Sequence, residues 1–127
     1  MRIERADPSL GKGWFAGRWN SSLDISIGYA CHPPDEPHLH TEIHEVYLIA
    51  RGTCTVRIEH ETLRLRAGDV LILDPGEADT FLTCSADYLH FVIHSPGLTG
   101  DEAVAEKRAV QPGRLGGGDG SAESGEA

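Results

Sequence analysis

The sequence predicts an all-β domain closed as a sandwich or barrel. Short apolar or alternating runs recur between residues 23 and 93, with Gly, Pro and Asp turn clusters between them. One of them sets Leu23, Ile25, Ile27 and Tyr29 against Asp24, Ser26 and Gly28, a strict period of two. No convincing amphipathic helix occurs before residue 101.

The elements follow in order. Residues 1–22 form an amino-terminal arm, polar at first and then Gly-rich around Trp14, Phe15 and Trp19, which reads as a loop or a short edge strand. Its two tryptophans either cap one end of the core or mark a subunit interface, where Trp is enriched. The domain proper is expected over residues 23–110. Leu23–Tyr29 is its first half-buried strand, stopped by the stiff connection Cys31–Pro37 with its three prolines. Glu45–Ala50 is a short apolar strand ending in an Arg51-Gly52-Thr53 turn. Cys54–Ile58 and Thr62–Arg66 read as a hairpin, with Arg57, Arg64 and Arg66 on its solvent face. Ala67-Gly68-Asp69 turns into a strand at Val70–Leu73, and Asp74-Pro75-Gly76-Glu77 is a strong turn signal. Thr80–Thr83 and Tyr88–Ile93 complete the set, and Asp101–Arg108 is long enough for one short turn of helix. Residues 111–127 are mostly Gly, Ser, Ala and acids with a lone Leu115, too little apolar surface to offset ordering, so this tail is expected to be disordered.

The chemistry concentrates in one stretch. His38-Leu39-His40-Thr41-Glu42-Ile43-His44-Glu45 carries three histidines and two acids in eight residues. In an extended chain His38 and His40 point to one side, so their rings can meet at one point. Imidazole and carboxylate are donors for Zn, Fe, Ni and Mn. His38 and His40 as metal ligands, with Glu45 as the third donor, stand against surface histidines and a salt bridge at a strand start.

This stretch, His-x-His, four residues, Glu, six residues, Gly52, resembles the first motif of the cupin superfamily. Gly68-Asp69-Val70-Leu71-Ile72-Leu73-Asp74-Pro75-Gly76-Glu77-Ala78-Asp79 is similar to the second. Two departures stand in it: Asp74 occupies the place of a Pro, and Asp79 that of the fourth metal ligand, a His. In the first motif His32 replaces the leading Gly. The resemblance, over roughly Leu23–Ile93, implies a double-stranded β-helix, or jelly roll, and a divalent transition metal (Mn, Fe, Zn or Ni) held by His38, His40, Glu45 and Asp79. Asp79 either keeps the metal with two nitrogens and two oxygens or marks a site that has lost it. His44, Tyr47 and His90 are the further pocket candidates, and His94 shares whichever strand face His90 occupies. The resemblance implies a small polar ligand, a sugar or organic acid, bound by a metal-dependent isomerase or dioxygenase. A non-catalytic sensor, or a dimeric scaffold with a degenerate site, is the alternative. Small cupins also imply a homodimer.

Composition narrows the partners. A net charge of −9 over 127 residues leaves no basic patch for nucleic acid or an anionic membrane. Three cysteines, Cys31, Cys54 and Cys84, are an odd count without a Cys-x-x-Cys pair, so reduced thiols and a cytoplasmic setting are expected. The amino terminus lacks the apolar core of a signal peptide, and no run is long enough to span a bilayer.

Overall fold

The computed structural model describes residues 1–31, 37–98, 101–102 and 107–110. Ten strands run through them: β1 Lys12–Ala16, β2 Ser26–Ala30, β3 His38–His40, β4 His44–Arg51, β5 Thr53–Ile58, β6 Glu61–Arg66, β7 Val70–Leu73, β8 Asp79–Cys84, β9 Leu89–Ser95 and β10 Lys107–Ala109. They form two five-stranded antiparallel sheets, in the order β1-β2-β9-β4-β7 and β10-β3-β8-β5-β6. This is the jelly roll: apart from the β1–β2 and β5–β6 pairs, consecutive strands cross between the sheets, and the inward faces close on one interior.

The core between the sheets centres on Tyr47, Ile49, Val56, Phe81, Tyr88 and Val92. Each such side chain contributes about 1.5–3 kcal/mol on burial. The Arg51-Gly52-Thr53 turn forms as expected, with Gly52 at φ +75°. The β5–β6 hairpin turns at Glu59-His60, Glu59 itself being left-handed at φ 51°. Cys54 packs in the core, and Arg64 and Arg66 are exposed. Among the described residues no helix is long and apolar enough to cross a membrane.

One open alternative is decided and two expectations change. The arm contributes an edge strand, β1, that pairs with β2 through Trp14↔Gly28. Alternation from Leu23 places the first strand correctly only from Ser26, because Asp24 and Ser26 tie this segment to the 97–98 loop: Gly97 N–H donates to the Asp24 carbonyl at 2.9 Å and Ser26 Oγ–H to the Leu98 carbonyl at 2.8 Å. The interior side of β2 carries Ser26 and Gly28, while Tyr29 turns outward under the arm against Phe15, Leu89 and Phe91. Finally, of the helical turn expected over Asp101–Arg108, Asp101 and Glu102 are helical and residues 103–106 lie outside the described residues. Lys107 and Arg108 instead pair with His40 and Leu39. The expected tail, 111–127, and most of the Pro-rich connection lie outside the described residues.

Candidate metal centre

Strand periodicity builds the site. On β3, His38 and His40 are both buried and turn inward on either side of the half-buried Leu39. On β4, Glu45, Tyr47 and Ile49 face inward, and the register sets Glu45 opposite Leu73 on one side and His94 of β9 on the other. On β8, Asp79 lies directly across from His38 and is fully buried. Residues far apart in sequence thus meet in the barrel because three antiparallel registers bring them there.

The distances are short enough for one ion. His38 Nε2 is 3.9 Å from Glu45 Oε1 and 3.8 Å from Asp79 Oδ1, and His40 Nε2 is 3.5 Å from Glu45 Oε2. One ligand atom from each of His38, His40 and Glu45 lies within 4.8 Å of the others. Two donors bound at about 2.1 Å to a tetrahedral ion sit about 3.4 Å apart, so the His38–Glu45 and His40–Glu45 pairs at 3.9 and 3.5 Å need only a slight contraction to share one. The donor chemistry and the geometry fit a divalent transition metal.

Glu45 is the electrostatic hub. Burial alone would raise its carboxyl pKa, but hydrogen bonds to His40 and His94, and their charges, outweigh burial and hold it well below the usual carboxylate range. His94 Nε2 is 2.9 Å from Oε2, and the Tyr47 hydroxyl donates to the same oxygen at 3.2 Å. A carboxylate only accepts, so the His94 proton on this side sits on Nε2.

The pocket candidates divide. Tyr47 is buried and touches the hub directly. His90 lies one step deeper, its ring 4.9 Å from that of Tyr47 and 5.1 Å from that of Phe81. Burial pushes its pKa down to about 4, so it is neutral near pH 7, and its Nδ1 shares a 2.6 Å hydrogen bond with the Tyr88 hydroxyl, which burial holds protonated. His44 is not in the pocket. One residue before Glu45, it occupies the opposite face of β4, half exposed, with its Nε2 3.2 Å from Asp74 Oδ1.

Two participants were not singled out from the sequence. His94 was named only as a companion of His90; its opposition to Glu45 is a register fact. Trp14 reaches the rim of the site, its ring 4.9 Å from His94 and edge-on to Trp19 at 6.5 Å. Gly28 makes room for it: a Cβ there would lie 2.7 Å from the indole. The tryptophans therefore border the barrel mouth, each still about 45% exposed.

Residues 23–83 match the AraC-like ligand binding domain. No curated protein sequence matches the chain. Among solved structures, KdgF from Halomonas sp. is 19% identical with a TM-score of 0.62, covering 77% of this chain and 87% of its own. A variant of Streptomyces PAC13 with uridine is 10% identical with a TM-score of 0.62, covering 80% and 87%. A double-stranded β-helix protein from Klebsiella pneumoniae is 17% identical with a TM-score of 0.56, covering 71% and 77%. Two crossed β sheets, a His-x-His and Glu stretch folded into their interior, and these likenesses lead to one assignment: the chain has the double-stranded β-helix fold of a small cupin domain.

Proposed function

We propose that this cupin binds a divalent transition metal, Mn, Fe, Zn or Ni, through His38, His40, Glu45 and Asp79, and holds a small polar ligand, a sugar or organic acid, beside it. The observation that supports this reading is the convergence of two imidazole Nε2 atoms and a Glu45 oxygen within 4.8 Å inside the barrel. Asp79, across from His38, supplies a second carboxylate, and two carboxylates balance a dication. When bound, such an ion acts as a Lewis acid on a carbonyl or hydroxyl. The chain's own residues orient the rest. His94 and Tyr47 fix Glu45, the apolar rings of Tyr47 and Phe81 exclude water from below, and Trp14 borders the mouth. PAC13 is a nucleoside dehydratase that has been solved with uridine, which favours a small polar ligand in this barrel too. In catalytic form the protein is a metal-dependent isomerase or dioxygenase.

The likeness to the AraC-like ligand binding domain favours a second reading, ligand binding without turnover. In either case we take the working unit to be a homodimer.

The test is metal analysis of the parent protein beside His38→Ala and Asp79→Ala, after incubation with Mn, Fe(II), Zn and Ni. Stoichiometric metal in the parent and its loss in His38→Ala is the expected result. A parent that takes up none of the four overturns the metal reading. Loss in His38→Ala but not in Asp79→Ala removes Asp79 from the ligand set.

A further inference from the structure

The three cysteines stand apart from the candidate metal centre, and all three are thiols in the structure. Two of them meet. Cys54 of β5 and Cys84 of β8 are direct partners in an antiparallel pair, so their side chains leave the sheet on the same side. Cys54 lies in the core cluster and Cys84 packs against that cluster. The hydrogen bonds fix which kind of pair this is. Ser85 N–H donates to the Thr53 carbonyl at 2.9 Å, which makes Thr53 and Ser85 a hydrogen-bonded pair at the end of this ladder. Antiparallel pairs alternate, so the next pair inward, Cys54 and Cys84, is of the other kind, with Cα atoms about 4.5 Å apart and side chains close together. A disulfide needs Cα atoms about 4.4–6.8 Å apart. The pair meets that requirement with the strands where they are.

The two cysteines are also within reach of a small molecule. Both line a cavity of about 270 Å³, bordered as well by Thr55, Thr83 and Arg64. Cys54 is buried and Cys84 half-buried, so Cys84 is the thiol that an entering molecule meets first. Burial pushes both thiols up and keeps them protonated near neutral pH; at Cys54 the Tyr88 hydroxyl and the Arg64 charge oppose it. Cys31 is near enough for its charge to raise Cys84 further, but it packs in the other cluster, with Tyr29 and Leu89.

We propose that Cys54 and Cys84 form a reversible cross-strand disulfide when the chain meets a small-molecule disulfide of the glutathione class. The Cys84 thiolate attacks the oxidant, releases one small thiolate and is left as a mixed disulfide. The Cys54 thiolate then attacks Cys84 Sγ, releases the second small thiolate and closes the Cys54–Cys84 bond. The two cysteines give up two electrons and two protons, and the oxidant leaves as two thiols. The loop so closed contains β6, β7 and the whole of Gly68–Asp79. The bridge also takes the Cys54 S–H away from the Tyr88 hydroxyl, which shares its 2.6 Å bond with His90 Nδ1.

The experiment incubates the folded full chain, with metal removed by chelator, in glutathione buffers of rising oxidised-to-reduced ratio. Samples are quenched in acid, and thiols and bridges are read by alkylation, mass spectrometry and peptide mapping. The parent is expected to lose two of its three thiols, with a mass fall of two hydrogens and no glutathione retained. Mapping is expected to join residue 54 to residue 84, and dithiothreitol to restore all three thiols. Cys31→Ala is expected to behave as the parent. Cys84→Ala, at the half-buried partner, is expected to keep the parent's circular dichroism and form no bridge; should it unfold, the maps of the parent and of Cys31→Ala decide. Three thiols remaining at the most oxidising ratio overturn the proposal. So does a lasting glutathione adduct in place of the bridge, a bridge that includes Cys31, or one that forms only when urea is added.

Discussion

His94 Nε2–H donates to Glu45 Oε2 at 2.9 Å, and the two residues are direct partners across β9 and β4. The Tyr47 hydroxyl reaches the same oxygen, so Oε2 is held by two donors while Oε1 faces His38. In the metal-binding reading proposed above, the pair would set how Glu45 meets a cation. Partners of this kind typically contribute 10–100-fold to metal affinity. His94→Phe is therefore expected to lower affinity about 10–100-fold, and Tyr47→Phe by less, both read by competition with a chromophoric chelator. Unchanged affinity in His94→Phe would show that the contact does not orient the ligand.

Asp79 tests the departure from the second cupin motif. It stands across from His38 with Oδ1 3.8 Å from Nε2, where the family pattern has an imidazole. Asp79→His is expected to keep metal and shift preference toward ions that favour nitrogen, Ni and Zn over Mn. Asp79→Asn keeps the volume but removes the charge and is expected to weaken binding by about tenfold or more. Ranking the four ions by affinity in each variant checks this; an unaltered ranking in Asp79→His would set position 79 outside the coordination sphere.

The fold and the grouping of His38, His40 and Glu45 were legible because both depend on period two and on local spacing. His38, His40 and Glu45 come from one short stretch, so their common inward face follows from alternation alone. His94 and Trp14 were not legible as site residues. Their place depends on which strands pair and in what register, which no local pattern contains: Glu45↔His94 joins positions 49 apart, and Trp14 reaches inward only because Gly28 has no side chain. His44 was misplaced for a related reason. Its nearness to the motif suggested the pocket, yet alternation from Glu45 already puts it on the far side of β4. Ser26 broke the apolar-in expectation for β2 because its hydroxyl bonds the 98 loop and the arm covers the other face.

The pH dependence of stability follows from His90. Burial depresses its folded-state pKa to about 4 against an ordinary 6.5. Between these values the unfolded chain binds the proton and the folded one does not, so stability rises with pH: it is complete above about 6.5 and is lost as pH falls toward 4. The loss attributable to His90 is roughly 2 kcal/mol at pH 5 and about 3 kcal/mol at the acid limit. His90→Gln, whose amide can still hydrogen-bond the Tyr88 hydroxyl, is expected to lose less stability than the parent between pH 7 and pH 5. Urea unfolding of both, with metal removed by chelator, gives the difference; equal losses would mean that His90 is not the group that resists protonation.

Gly52 closes the first motif and joins the two sheets, ending β4 in one and starting β5 in the other. Its φ of +75° is in the left-handed region, and a Cβ there would lie 2.2 Å from Ser85 Oγ, 2.7 Å from Asp87 Oδ1 and 2.9 Å from the Tyr88 backbone. Ser85 Oγ also accepts from Thr53 N–H at 2.9 Å and donates to Asp87 at 2.7 Å, so it cannot retreat without breaking the corner. Strain alone costs about 1–2 kcal/mol, and the backbone clash raises this to about 3 kcal/mol or more. Gly52→Ala is expected to lower the urea midpoint accordingly. Gly76→Ala, also at positive φ but with open space around its Cβ position, is expected to cost only the strain. Similar losses in the two variants would show that the crowding at the β4–β5 corner is relieved by movement, and that the glycine is required there for conformation alone.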